Sequence, residues 1–376
     1  MLRLLRVILL AALAFQAATV DARIVIDVVR HGIVADGTTP CTASLQRIID
    51  EAPSGAVIRF PRGQYLTGTL HLRSHITLQL DEGATLLASL RHEDYDAYRP
   101  THDMSRYDTG AGTRNANLTS DARWTRALIL GVGLTDVTIK GKGTIDGRHL
   151  SDPRGEEGLR GPHAILLAEC SNVSIKNIHV TRAANYAFLG YDLSHATFQG
   201  LNITEGWDGI HIRGGKDILI KNCDISTGDD CIAGAYWTNM RVTRCHLNSS
   251  CNGIRLIGPA DGLEIGHTDI LGPGRYPHRT NGLTLGSHSI YGIVIEPGAW
   301  GQMPGDVSSV HLHHLTLSHQ YSPIAYSKGA DNHCHDLTIE NVKATHCEVI
   351  LPLNRQDCPR MWDSVTLRNV SITGHQ

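Results

Sequence analysis

Four residues in the middle of the chain have types and spacing that suit acid–base chemistry. Asp229 and Asp230 stand together in Gly228-Asp229-Asp230-Cys231. Asp208, in Trp207-Asp208-Gly209, lies 22 residues before Asp230, and Asn252, in Cys251-Asn252-Gly253, lies 22 after it. If that interval is one coil of a stacked structure, Asp208, Asp229, Asp230 and Asn252 line one face as a short ladder. Three carboxylates on one rigid face repel one another, which raises the pKa of at least one. A carboxyl that keeps its proton is a general acid, and an ionised neighbour is a base that activates water. Adjacent residues in a flat strand point to opposite faces, and one of Asp229 and Asp230 would then be buried in the core. Both are therefore expected at a corner between strands, which Gly228 permits. Asp and Asn also occupy corners simply to bond backbone groups. A doubled carboxylate aligned with a third one coil away favours chemistry.

The elements that position these residues are visible as a repeat. Val173-Ser174-Ile175-Lys176-Asn177-Ile178, Ile218-Leu219-Ile220-Lys221-Asn222-Cys223 and Met240-Arg241-Val242-Thr243-Arg244-Cys245 are copies of one strand motif. The series continues at Leu263–Ile270, Val310–Leu317, Leu337–Ala344 and Val365–Ile372, and copies in the middle are 22 or 23 residues apart. Apolar residues alternate with polar ones, and a kink at Asn, Gly, Arg or His precedes a second short strand. One such coil cannot bury its apolar face alone, so the coils are predicted to stack as an all-β parallel β-helix. A β-propeller needs about twice this period. Residues 42–52 predict an amphipathic helix, with Leu45, Ile48 and Ile49 on one face, that caps the N-terminal end. Arg91 to Trp124 and Leu271 to Ser289 break the repeat and read as loops. No linker divides residues 23–376, which are read as one domain.

Composition narrows the function classes. The chain has 376 residues, 41% hydrophobic, with 38 glycines and only 5% aromatics, which suits many strands joined by tight turns. A net charge of −3 offers no footprint for nucleic acid or for a membrane surface. Arg3 and Arg6, the apolar run Val7–Ala18 and the small-residue segment Val20-Asp21-Ala22 read as a signal peptide over residues 1–22. The mature protein is expected to be secreted or periplasmic, free of the membrane and monomeric. Export permits disulfides. Nine cysteines leave at least one unpaired within the chain. Cys231 with Cys251 and Cys347 with Cys358 are candidate bridges, whereas Cys223 and Cys245, one coil apart, either bridge or stack inward. No cysteine has zinc-site spacing and the 22 histidines scatter, so neither metal nor cofactor is expected.

The motifs resemble glycoside hydrolase family 28, the polygalacturonase-like and rhamnogalacturonase-like enzymes. Phe60-Pro61-Arg62-Gly63-Gln64-Tyr65-Leu66-Thr67-Gly68-Thr69, Gly83-Ala84-Thr85-Leu86-Leu87-Ala88-Ser89 and Gly141-Lys142-Gly143-Thr144-Ile145-Asp146-Gly147 are similar to the family's opening coils. Asp208-Gly209 corresponds to its Asn-Thr-Asp-Gly, and Gly228-Asp229-Asp230-Cys231-Ile232-Ala233 to its doubled aspartate motif. The resemblance implies a right-handed, single-stranded, pectin-lyase-like β-helix and metal-independent, inverting hydrolysis of α-linked chains that contain uronic acid. Asp229 would protonate the leaving oxygen, and Asp208 and Asp230 would activate water. A rung spacing of ~4.8 Å, by contrast, is nearer to that of retaining pairs.

The chain departs from the family at three places. The family's Gly-His-Gly becomes Cys251-Asn252-Gly253. Its Arg-Ile-Lys aligns with Val294-Ile295-Glu296, so two cations that meet a galacturonate carboxylate become a valine and a carboxylate. The expected substrate is therefore a pectic or related acidic polysaccharide or oligosaccharide other than plain polygalacturonan, with a neutral sugar beside the scissile bond. Candidate sugar contacts are Asn252, Arg255, Glu296, Tyr326, Trp237 and Arg213, with Tyr236, His278 and Arg279 behind them. Asn117-Leu118-Thr119 is a formal glycosylation sequon. Two other classes stay open: a β-helix polysaccharide lyase with calcium on the carboxylates and Arg255 as base, and a carbohydrate-binding β-helix without activity.

Overall fold

The computed structural model describes residues 24–113, 116–278, 286–354 and 362–374. The segment read as a signal peptide, Arg279 and Cys358 lie outside them. Among the described residues 27 strands form one continuous sheet, and each ladder between them is parallel. Each coil pairs with the coils above and below at the interval seen in the sequence. Ile210 is in register with Phe188 on one side and Ile232 on the other, and Ile232 is in register with Ile254. The fold is a parallel β-helix.

Alternation sets what points inward. Ile218, Ile220, Met240, Val242, Leu263 and Ile265 are 2% exposed or less and stack into the core. The kink residues Asn177, Asn222 and Arg244 have left-handed backbones with φ of 56°, 53° and 54°. That conformation turns the strand through a corner, and Asn tolerates it better than most side chains do. Cys223 and Cys245 follow the corner and stack inward as free, buried thiols. Cys231 and Cys251 are also free, so the expected bridge between them is absent. Cys231 instead directs its Sγ at the carbonyls of Ile225 and Asn248, at 3.4 and 3.3 Å.

The helix Thr42–Glu51 buries Leu45, Ile48 and Ile49 and exposes most of its other face, as the spacing requires. The segment from Arg91 to Trp124 does more than cross the flank. Tyr98, Met104, Tyr107 and Trp124 pack with Tyr186, Tyr191 and Trp207 into a second apolar cluster outside the coil. Asn117 of the sequon is 5% exposed and accepts a hydrogen bond from Arg213, so it is unavailable to a glycan.

Trp237 corrects the sequence reading. It is 1% exposed, lies in the main core and donates its indole N–H to the Ile212 carbonyl at 2.9 Å. It packs the coil and offers no face to a sugar. Tyr236, the preceding corner residue, lies against Arg106 and Tyr107 instead. Trp237→Ala is expected to cost about 3–5 kcal/mol, the range for a large buried aromatic. Chemical unfolding measures the loss, and KM at a temperature where the variant stays folded should match the parent's.

Candidate active site

The 22-residue register builds a column at the corner that opens each coil: Tyr186, Asp208, Asp230 and Asn252. Successive coils bond across it, from Ala187 N to Asp208 O at 2.9 Å, Gly209 N to Asp230 O at 2.9 Å and Cys231 N to Asn252 O at 3.0 Å. Asp229 stands in the neighbouring column, between Trp207 and Cys251. Both aspartates of the pair therefore sit at the corner, as expected. Gly228 earns its place through close approach. A Cβ there would lie 2.5 Å from the Pro277 carbonyl oxygen and 2.8 Å from that of Gly206.

One oxygen from each of Asp208, Asp229 and Asp230 lies within 4.8 Å of the others. They line a cavity of about 370 Å³ that Asn252, Arg255, Glu296 and Arg213 also line. Asp208 accepts the Asp230 backbone N–H at 3.3 Å, and Asn252 donates Nδ2–H to Asp230 at 2.7 Å. Asp229 takes Arg160 Nη2–H on one oxygen at 3.0 Å and faces His278 Nε2 with the other at 3.5 Å.

These neighbours divide the three ionisations. Burial raises Asp208 well above the usual carboxylate range, and the charges of Asp229 and Asp230 raise it further. Burial, then Asp229, pushes Asp230 up to about 7 against the pull of Arg255 and Asn252. Burial opposes ionisation of Asp229 too, but His278 and Arg160 overcome it and hold its carboxyl well below the ordinary range. Burial likewise opposes charge on His278, and the Asp229 carboxylate outweighs it. In the unliganded chain Asp229 is thus an anion, whereas the resemblance has it donate a proton.

Arg213 is placed in the cavity wall but is fully committed. It is 1% exposed and donates to His211 Nε2 at 3.0 Å, the Tyr107 carbonyl at 2.8 Å and Asn117 Oδ1 at 2.7 Å. A guanidinium only donates, so His211 Nε2 must carry a lone pair and the ring proton must sit on Nδ1. From there it reaches Asp208 at 2.7 Å. His211 stacks on Tyr186, ring centroids 4.8 Å apart. Burial and the nearby Arg213 hold it neutral.

Arg255 and Glu296 answer each other. Arg255 Nε donates to Glu296 Oε1 at 2.8 Å, and its guanidinium lies 3.9 Å from Asp230 and 5.0 Å over the Trp300 ring. Glu296, expected to face a sugar or repel one, is 2% exposed and neutralised by this arginine. Tyr326 also departs from expectation. Its register partner is Ile295, in the inward row of Ile212, Gly234 and Leu256, so it packs on the core against Trp362. The outward row runs through His211, Ala233, Arg255, Val294 and Ala325.

Sequence reasoning missed Arg160, His211, Tyr186 and Trp300. Arg160 comes from a loop that breaks the repeat, where Glu156 and Glu157 neutralise it at 3.4 and 3.2 Å and it lies over Trp207. His211 was legible, three residues after Asp208 and near the start of the strand Ile210–Lys221. Arg160→Gln removes the closest cation from Asp229, so the Asp229 carboxyl should titrate at higher pH than in the parent. Carboxyl ¹³C NMR reads this directly, and an unchanged titration would refute the ion-pair account.

The comparisons agree with this geometry. The model for glycosyl hydrolases family 28 matches residues 108–254, the span that holds the aspartates. A probable polygalacturonase of Vitis vinifera is 31% identical over 241 residues, covering 60% of this chain and 47% of its own length. An exo-poly-alpha-D-galacturonosidase of Dickeya chrysanthemi is 26% identical over 257 residues, covering 55% and 41%. The chain thus spans about half the length of these curated relatives. In structure, a hyperthermoactive exopolygalacturonase from Thermotoga maritima superposes with a TM-score of 0.63 at 14% identity, over 93% of this chain and 91% of that one. Over residues 108–254 the chain is thus similar to glycosyl hydrolases family 28, at low identity to the relatives it matches.

Proposed function

We propose that the chain is an exported, single-domain glycoside hydrolase that cleaves α-glycosidic bonds of a pectic or related acidic glycan with inversion. Asp229 protonates the leaving oxygen, and Asp208 with Asp230 takes the proton of the attacking water. The observation that carries this reading is the meeting of three carboxyls with divided ionisation in one cavity. An inverting turnover leaves its acid ionised and its base protonated. That is the distribution the unliganded site favours, with Asp229 an anion and the proton on the Asp208–Asp230 side. Each cycle then needs the proton moved back to Asp229, and the proton belongs to the trio rather than to one residue. Asp229, with 13% of its side chain exposed against 3% and 6% for Asp208 and Asp230, is the member best placed to meet a substrate oxygen. Asn252 Oδ1 is buried with no partner among the described residues and suits a sugar hydroxyl.

The trio's spacing is closer than the about 6.5–9.5 Å of usual inverting pairs, so the anomer released, read by ¹H NMR, tests inversion separately. A lyase holding calcium on the trio is disfavoured because N–H donors of Arg160, His211 and Asn252 already meet its oxygens. An unsaturated product that absorbs ultraviolet light, or activity lost with chelator and restored by calcium, would replace the hydrolase reading. Export rests on the leader at residues 1–22.

The substrate follows from the charge of the cavity. Three arginines, Arg160, Arg213 and Arg255, share its wall with six carboxyls, Glu156, Glu157, Asp208, Asp229, Asp230 and Glu296. Among the described residues these cations, with His278, are matched by carboxylates, and no net positive charge is left for a uronate at the scissile bond, which favours a neutral sugar such as rhamnose there.

Asp229→Asn should cut turnover of the natural glycan by about 10²–10⁴-fold, as for a missing general acid, and much less for an aryl glycoside whose leaving group needs no proton. Near-parental turnover of the glycan would sink the assignment. The active form holds one proton in the trio; with Asp208 and Asp230 both raised, two are held below about 7, so kcat/KM should rise as pH rises through about 7, where Asp230 gives its proton up and Asp208 keeps the last. Polygalacturonate should be a poor substrate, and Glu296→Gln, which frees Arg255, should raise its kcat/KM by about tenfold or more, equivalent to one charge-assisted hydrogen bond of roughly 1.5–3 kcal/mol. Rapid cleavage of polygalacturonate by the parent would contradict the charge argument.

A further inference from the structure

A second corner of the coil carries a feature that hydrolysis does not use. The residues that turn each coil there form a column in the left-handed region: Asn177, Gly200, Asn222, Arg244, His267, His314, Asn341 and Asn369. Asn and Gly suit that backbone. His267 and His314 interrupt the pattern side by side, at φ of 52° and 51°, with rings stacked 4.7 Å apart. His313 joins them, its Nδ1 2.9 Å from His314 Nδ1. One ring nitrogen from each of the three lies within 4.8 Å of the others.

The surroundings of His313 are shaped for this arrangement. Its register partner is Gly266, and a Cβ there would lie 2.3 Å from His313 Cε1 and 2.4 Å from Nε2. The absent side chain makes room for the imidazole. His313 Nε2 lies 3.2 Å from Glu264 Oε1, which Arg241 Nε meets at 3.1 Å. A proton on Nε2, donated to this carboxylate, leaves the Nδ1 lone pair facing His314. A carboxylate behind an imidazole in this way is the arrangement that orients metal-bound histidines.

We propose that His267, His313 and His314 bind one imidazole-preferring divalent transition metal ion, of which zinc is the probe, and that the ion ties two successive coils together. Three nitrogens with solvent at the fourth position is a known zinc arrangement, and imidazole suits zinc, copper and nickel over magnesium or calcium. None of the three residues lines the hydrolytic cavity. The ion would lie outside the hydrolytic cavity, and glycan turnover should not depend on it.

His267→Asn and His314→Asn test the proposal without disturbing the corner, because Asn is what Asn222 and Asn341 place in the same column. Titration calorimetry of the untagged full chain with zinc should find one more site in the parent than in either variant, and zinc should raise the melting temperature of the parent alone. Cobalt(II) added to the parent should give the intense visible bands of a four-coordinate ion, and the variants should lack them. Equal zinc stoichiometry and equal thermal shift in parent and variants would overturn the proposal. So would a parent that binds no zinc at micromolar concentration while circular dichroism shows it folded.

Discussion

Among the described residues, the strands of each coil pair their backbone N–H and C=O groups with strands of the coils above and below. Buried peptide groups left unpaired are costly, so this pairing is obligatory. It also fixes register, because a slip of one residue would turn every inward Ile and Leu outward. Columns of side chains at a common step follow directly. Ile218, Met240 and Leu263 make one apolar column of the core, and Asp208, Asp230 and Asn252 make a polar one at the rim. The same constraint that closes the core therefore gathers the acids.

A gathering of acids is not yet a site. Buried like charges must be compensated or protonated, and the compensation comes from segments outside the repeat. Arg160 reaches Asp229 from the loop before the strand His163–Ala168, and His278 reaches it from the break after Leu271. The flank segment supplies Tyr107 and Asn117, which fix Arg213, which in turn orients His211 against Asp208. The aromatic cluster of Tyr98, Tyr107, Trp124 and Tyr191 holds that flank in place. Regular coils thus set where the carboxyls stand, and irregular loops set which of them carries charge.

Stacking also joins residues that are remote in the chain. His267 and His314 become neighbours because one coil between them is lengthened by the break at residues 272–288, while the sheet on either side keeps its register. Arg255 and Glu296 meet for the same reason. Their pairing replaces two expected consequences, a repelled uronate at Glu296 and a free cation at Arg255, with a neutral pair beneath Trp300.

The amino-acid sequence by itself determined the coil, the inward alternation, the helix Thr42–Glu51 and the ladder of Asp208, Asp229, Asp230 and Asn252. All of these repeat or alternate at short intervals, and backbone pairing translates such intervals directly into space. Trp237 and Tyr326 were misjudged because side-chain direction depends on where each coil turns, and a shift of one position exchanges the cavity for the core. The charge on Asp229, the tautomer of His211 and the partner of Arg255 were decided only by tertiary structure. Each depends on groups tens of residues away, and the Coulomb and desolvation energies that govern them are set by ångström distances and burial, which no local pattern of residues encodes.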